Sequence, residues 1–272
     1  MVLVQNYLFQ ILFSVGVIIV FGLIIAALNR AWCRMLGSKG VFAMRATGVI
    51  GTPVHEIGHA IFCLIFGHKI NGIKLYSMDT STGVLGYVNH SYNKKNIYQQ
   101  IGNFFIGVGP IIFGSIVLTV LMLIMVPATF QKVFASLGGI SNLELGFFSE
   151  ETYYGMITVF IKIFTAIFSF ENVKNWIWWI FIIISMSIAT HMSLSKADVK
   201  GSILGFFVLL VLMFIVDGII FLISPNILIA MTSAMIKGSF YIISLLAIAV
   251  ILLLILLLFT FIFGGFKTKR NT

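Results

Sequence analysis

His55, Glu56 and His59 lie within one helical turn of each other in TGVIGTPVHEIGHAIFCLIFGH, residues 47–68. Side chains four apart on a helix share a face, one turn apart, so both imidazoles can reach a single cation. Glu56 is offset from His55 by about 100° around the helix. That angles it off the ligand stripe yet leaves it able to take a proton from water held at the cation. The H-E-x-x-H spacing therefore predicts a zinc site with Glu56 as its general base. The setting is the unusual part. The same stretch is apolar enough to lie in a bilayer, where ionisable groups are costly and mark function.

A catalytic zinc takes three protein ligands and leaves a fourth position for water. Asp198 is the strongest candidate for the third. It falls where an apolar span meets the polar break HMSLSKADVKG, residues 191–201. His191, in the same break, is the alternative, either as the ligand itself or as a group supporting it. Cys63, one turn beyond His59, reads as a buried apolar thiol rather than a ligand. With Cys33 it makes only two cysteines, which offer no disulfide framework. Asp217 is a further acid inside an apolar span, and the sequence assigns it no role.

The elements that must position these groups are membrane spans. The chain of 272 residues is 60% hydrophobic and 9% charged, with mean hydropathy +1.11, which excludes a soluble domain. Its net charge of +9 resides in short segments beside apolar spans. Those cations act as topology determinants and lipid headgroup contacts, not as a nucleic-acid surface. The expected fold is an all-α polytopic membrane protein, one integral membrane domain over residues 1–272. Its spans fall at about residues 2–28, 46–66, 101–126, 176–190, 203–223 and 240–263, about six in all. Pro53 and Pro110 are expected to bend their helices, and Gly102, Gly107, Gly109 and Gly114 to admit a neighbouring helix closely.

Between the spans, residues 30–45 and 128–152 read as loops. Ile73, Leu75 and Tyr76, then Val84, Leu85, Tyr87 and Val88, predict a small β hairpin around the turn SMDTSTG at 77–83. Residues 153–170 carry Thr158, Lys162, Thr165 and Ser169 as a polar stripe, which predicts an interfacial helix lying flat.

At these residues the chain resembles the site-2 protease family of intramembrane zinc metalloproteases, in its compact six-span branch. The resemblance rests on HEIGHA at 55–60, LGYV at 85–88, Gly109-Pro110, and Asp198 at a span end, and it covers about residues 46–205. Ile111, Ile112 and Phe113 follow Gly109-Pro110 where the family often has an Asn. The Asp198 string lacks the Asn, Pro and Asp-Gly of the usual aspartate motif. The resemblance implies zinc held by His55, His59 and Asp198, with Glu56 catalytic. It also implies a membrane-associated hairpin, an integral cell-membrane location with multiple passes, and an active site within the bilayer toward the cytoplasmic side.

The expected function is hydrolysis of peptide bonds in a membrane-embedded peptide or protein, the lipid bilayer being the other partner. A membrane metal (zinc) transporter is the first alternative, although its path would need more ligands than Asp217 supplies. A catalytically inactive scaffold of the same fold is the second, and the intact His55–Glu56–His59 speaks against it.

Overall fold

The computed structural model describes residues 1–78, 83–138 and 150–263. The tip of the expected turn, Glu144 in the expected 128–152 loop, and the basic KTKR tail lie outside the described residues. In chain order the elements are α1 (Val2–Ile11), α2 (Val17–Leu36), α3 (Gly40–Ile65), β1 (Lys69–Lys74) and β2 (Tyr87–Ser91). They continue with α4 (Ile97–Met125), α5 (Pro127–Gly138), α6 (Glu150–Ile167), α7 (Phe170–Val173), α8 (Trp176–Ala189), α9 (Lys196–Ile223) and α10 (Pro225–Phe263). A π-helical stretch, Leu12–Gly16, joins α1 to α2.

Among the described residues, four helical runs are long and apolar enough to cross a membrane: Val2–Ile65, Ile97–Met125, Lys196–Ile223 and Pro225–Ile262. The first holds two limbs, because Gly37 takes φ +56° and turns the chain sharply where other residues would be strained. α2 and α3 then pack against each other. The loop expected over residues 30–45 is thus only the 3₁₀ turn Gly37–Lys39, with helix on both sides.

Other boundaries follow the prolines. Pro127 and Pro225 each open a helix, at the position where a missing N–H costs nothing. Helix α10 accordingly starts at Pro225 and not near residue 240, and its 39 residues make it about 58 Å long. Helix α8, where a span was expected over 176–190, has 14 residues, about 21 Å, short of a hydrocarbon core of about 30 Å. Within residues 128–152, Pro127–Gly138 is helical rather than loop.

Two kinds of apolar helix are present. α10 is buried on every side from Ala247 to Leu253 and forms the axis on which α2, α4, α6 and α8 pack. α9 is equally apolar but exposes Ile203, Phe207, Val211, Phe214 and Ile219 among others. Apolar surface on that scale needs lipid, not water, as its solvent. Helix α6 buries Val159, Ile163 and Ile167 against the bundle, and exposes Thr158, Lys162 and Thr165 beside Ile157, Ile161 and Phe164. Its outer face is thus a mixed polar and apolar one, and α6 is not among the four runs long and apolar enough to cross.

The hairpin sits between α3 and α4, as expected, with its strands displaced. β1 and β2 pair antiparallel from Lys69↔Ser91 to Lys74↔Tyr87, with an irregularity between Ile70 and Gly72. Leu75, Tyr76, Val84 and Leu85 lie beyond the ladder, where Ser77 still donates its N–H to the Leu85 carbonyl. Gly86 has no room for a side chain: a Cβ there would meet Glu56 Cγ and Thr52 Cγ2 at 2.8 Å. The glycine lets β2 lie directly over α3.

Candidate metal centre

α4 is the spacer that builds the site. It packs on α3 along one side and on α9 along another. Its segment Gly107-Val108-Gly109-Pro110 does three things. Gly109 meets Gly58 of α3 backbone to backbone: a Cβ at Gly109 would lie 2.8 Å from the Gly58 carbonyl oxygen, and one at Gly58 would lie 2.9 Å from Pro110 Cα. Gly107, about 200° further round α4, opens the other flank. A Cβ there would collide with Ser202 Oγ and come within 2.9 Å of the Asp198 carbonyl oxygen. The two glycines admit α3 and the N-terminus of α9 so closely that residues 55–59 and Asp198 face a common point.

Pro110 does the third. A proline inside a helix has no N–H for the carbonyl four residues earlier. That carbonyl is Ile106, and His59 Nδ1 lies 2.7 Å from it. His55 Nδ1 lies 2.6 Å from the His191 carbonyl. A carbonyl only accepts, so both rings carry their proton on Nδ1 and, when neutral, leave Nε2 bare. The two Nε2 atoms are 3.1 Å apart. Asp198 Oδ1 is 3.3 Å from His59 Nε2, and Asp198 Oδ2 is 3.9 Å from His55 Nε2.

Asp198 is held by its own helix start. It is the third residue of α9, where a capping box forms: Ser195 N–H donates to Asp198 Oδ2 at 2.7 Å, and Asp198 N–H donates to Ser195 Oγ at 3.1 Å. The string Ser-Lys-Ala-Asp at 195–198 carries that signal in sequence, which could have placed Asp198 on the first turn of a helix.

This donor set suits zinc. Two imidazole nitrogens and a carboxylate, with a fourth side open, are the ligands of a catalytic site. Tetrahedral coordination with bonds of about 2.0–2.1 Å puts ligand atoms about 3.3–3.4 Å apart, against 3.1, 3.3 and 3.9 Å here, the last from His55 to the other Asp198 oxygen. Among the described residues His55, His59 and Asp198 are the one group of three or more His, Cys, Asp or Glu side chains so placed. The open side is a cavity of about 680 Å³, lined by His55, His59 and Asp198 and by Glu56, Asn103 and β2.

The other candidates fall elsewhere. The His191 ring points away from the three, with Nε2 3.1 Å from Thr47 Oγ1 and Nδ1 3.3 Å from Thr52 Oγ1. Its backbone carbonyl, not its ring, serves the site, and Gly51 gives the ring space. Cys63 is fully buried in α3, outside the group. Asp217 is buried in a separate cavity of about 390 Å³ beside Gln10, with Oδ2 unpartnered. Sequence patterns missed the carbonyls of Ile106 and His191, since a backbone group has no residue-type signature. Pro110 was the available signal for the first. The patterns also missed His68 and His90. Burial lowers the proton affinity of both below the usual histidine value; the Gln99 carbonyl opposes this at His68, and the neighbouring His68 and His59 add to it at His90.

No family model, no curated protein and no solved structure matches this chain.

Proposed function

We propose that the chain is an intramembrane zinc endopeptidase of the site-2 protease kind, with His55, His59 and Asp198 as metal ligands and Glu56 as general base. One observation carries the reading. Two bare imidazole nitrogens and a carboxylate oxygen converge with no donor among them. Three acceptors so close repel unless a cation lies between them.

Zinc in that position would polarise a scissile carbonyl and lower the pKa of water. The protein supplies the rest. Glu56 lines the cavity, is largely buried, and is kept from the ligand point by its place on the helix. It takes the proton of the attacking water and passes it to the leaving amine. The carbonyls of Ile106 and His191 hold both imidazoles in the ligating tautomer. β2 offers an edge along the cavity on which an unwound substrate can extend. The substrate is a membrane-embedded peptide or protein, the protein crosses the cell membrane several times, and the site opens toward the cytoplasm. A transporter would need ligands in series, and Asp217 lies in a cavity of its own.

The test is Glu56→Gln, which keeps shape and removes the basic oxygen. Cleavage of a membrane peptide should fall by about 10²–10⁴-fold while zinc, measured on the same sample, stays bound. Full cleavage with zinc bound would remove Glu56 from the mechanism and most of the case for a peptidase.

A further inference from the structure

The cavity has a third imidazole on its wall whose tautomer the fold dictates. His68 follows α3, and its Nε2 lies 2.8 Å from the Gln99 carbonyl at the start of α4. A carbonyl only accepts, so His68 carries its proton on Nε2, and its neutral ring has a bare Nδ1. That Nδ1 lies 3.0 Å from Nδ1 of His90. One of the two must donate, and the only proton left for the contact is on His90. His90 is therefore the Nδ1–H tautomer, and its Nε2 is bare.

His90 lines the metal-site cavity. On β2 it is half-buried like Val88, two residues away, while Tyr87 and Asn89, which also line the cavity, and Ser91 are exposed. His68 is buried, stacked on Tyr92 with ring centroids 5.0 Å apart, and a Cβ at Gly102 would lie 3.0 Å from its Nε2. His68 is thus held from both sides. Burial lowers the proton affinity of both rings and so favours their neutral forms. Gln99 does for His68, and through it for His90, what Ile106 and His191 do for the ligand rings. The difference is that His90 stands outside the ligand group and on the cavity wall, where its lone pair can meet a bound molecule.

We propose that His90 contacts the substrate, its bare Nε2 accepting a hydrogen bond from a backbone N–H of the extended peptide in the cavity, with His68 as the positioning residue that sets its tautomer. This rests on the peptidase reading for the identity of the ligand, a peptide amide, but not for the tautomer. No bond is broken in this role: the amide N–H donates, and the imidazole keeps its Nδ1 proton.

The experiment uses the full chain, zinc-loaded and Glu56→Gln so that peptide is not consumed, with ¹⁵N-labelled histidine. The probe is a synthetic peptide of about 20 apolar residues. Imidazole ¹⁵N shifts should show His90 protonated on Nδ1 and His68 on Nε2. Peptide should move the His90 Nε2 resonance. His90→Phe should weaken peptide binding about 3- to 10-fold, the loss of one hydrogen bond, with zinc content unchanged. His90→Gln, which keeps an acceptor near the Nε2 position, should restore most of it. In His68→Phe, His90 should lose its fixed tautomer and binding should weaken similarly. His90 protonated on Nε2, or peptide binding unaltered in His90→Phe, would overturn the proposal. If wild-type protein fails to cleave the peptide while the His90 resonance still responds to it, the peptidase reading falls and the His90 contact stands. If the peptide is cleaved and His90 is on the wrong tautomer, the reverse holds.

Discussion

Gly58→Ala tests whether helix spacing sets the proposed metal site. Gly58 lies inside the H-E-x-x-H turn, but its neighbours are backbone: Pro110 Cα at 2.9 Å and the Gly109 carbonyl carbon and oxygen at 3.0 Å from an added Cβ. No side chain there can rotate away. Restoring ordinary contact at about 3.5–4.0 Å requires α3 and α4 to part by about 0.6–1 Å. The His59 Nδ1 to Ile106 hydrogen bond, 2.7 Å long, spans the same interface and would stretch to about 3.3–3.7 Å, the margin of a hydrogen bond. His59 then loses the group that orients it. Losing such an outer partner typically costs about 10–100-fold in metal affinity, or about 1.4–2.8 kcal/mol. Overpacking adds about 1–3 kcal/mol of destabilisation. Zinc affinity should be measured by chelator competition in detergent, alongside thermal unfolding of the zinc-free protein. Gly238→Ala is the control, since nothing lies within 4 Å of a Cβ there. Gly58→Ala protein that is folded and binds zinc as tightly as wild type would refute the spacing argument.

Three further outcomes are expected. Asp198→Asn keeps an oxygen for the Ser195 N–H and so should fold, yet zinc affinity should fall by at least about 100-fold; near wild-type affinity would point to another third ligand. Pro110→Ala restores an N–H that competes with His59 for the Ile106 carbonyl, and removes a helix-interior proline that costs about 3 kcal/mol. Stability should rise while zinc affinity falls, and a parallel rise in both would contradict the role given to Pro110. His68 and His90 have folded-state pKa values below their unfolded ones, so between the two values the unfolded chain binds more protons. The stability contributed by the pair should be complete above about pH 6.5 and decline as pH falls below it. A His68→Phe, His90→Phe variant should lose part of that slope in a pH series of denaturant melts. An unchanged slope would show that the pair is not linked to folding.

The sequence alone determined the membrane character, the helical class, and the placing of His55, Glu56 and His59 on one helical stretch. Apolar run length and i, i+4 spacing are local properties, legible without knowing any neighbour. It also ended two spans beside Pro127 and Pro225, since a missing N–H acts on its own helix, but it did not start the last helix at Pro225. It misplaced the turn at Gly37–Lys39, because polar, glycine-bearing residues read as loop until two packed limbs hold them helical. It shifted the hairpin strands, because short apolar runs do not set a register by themselves; the partner strand and the seat of Gly86 on Glu56 do. Only the tertiary structure decided that Asp198 meets the two histidines. Residues 59 and 198 share no local pattern, and their approach depends on α4 presenting Gly107 to α9 and Gly109 to α3. The tautomers of His55, His59 and His68 belong to the same level. Each is set by a carbonyl distant in sequence from the ring it controls, and a carbonyl is the same in every residue until folding aims it.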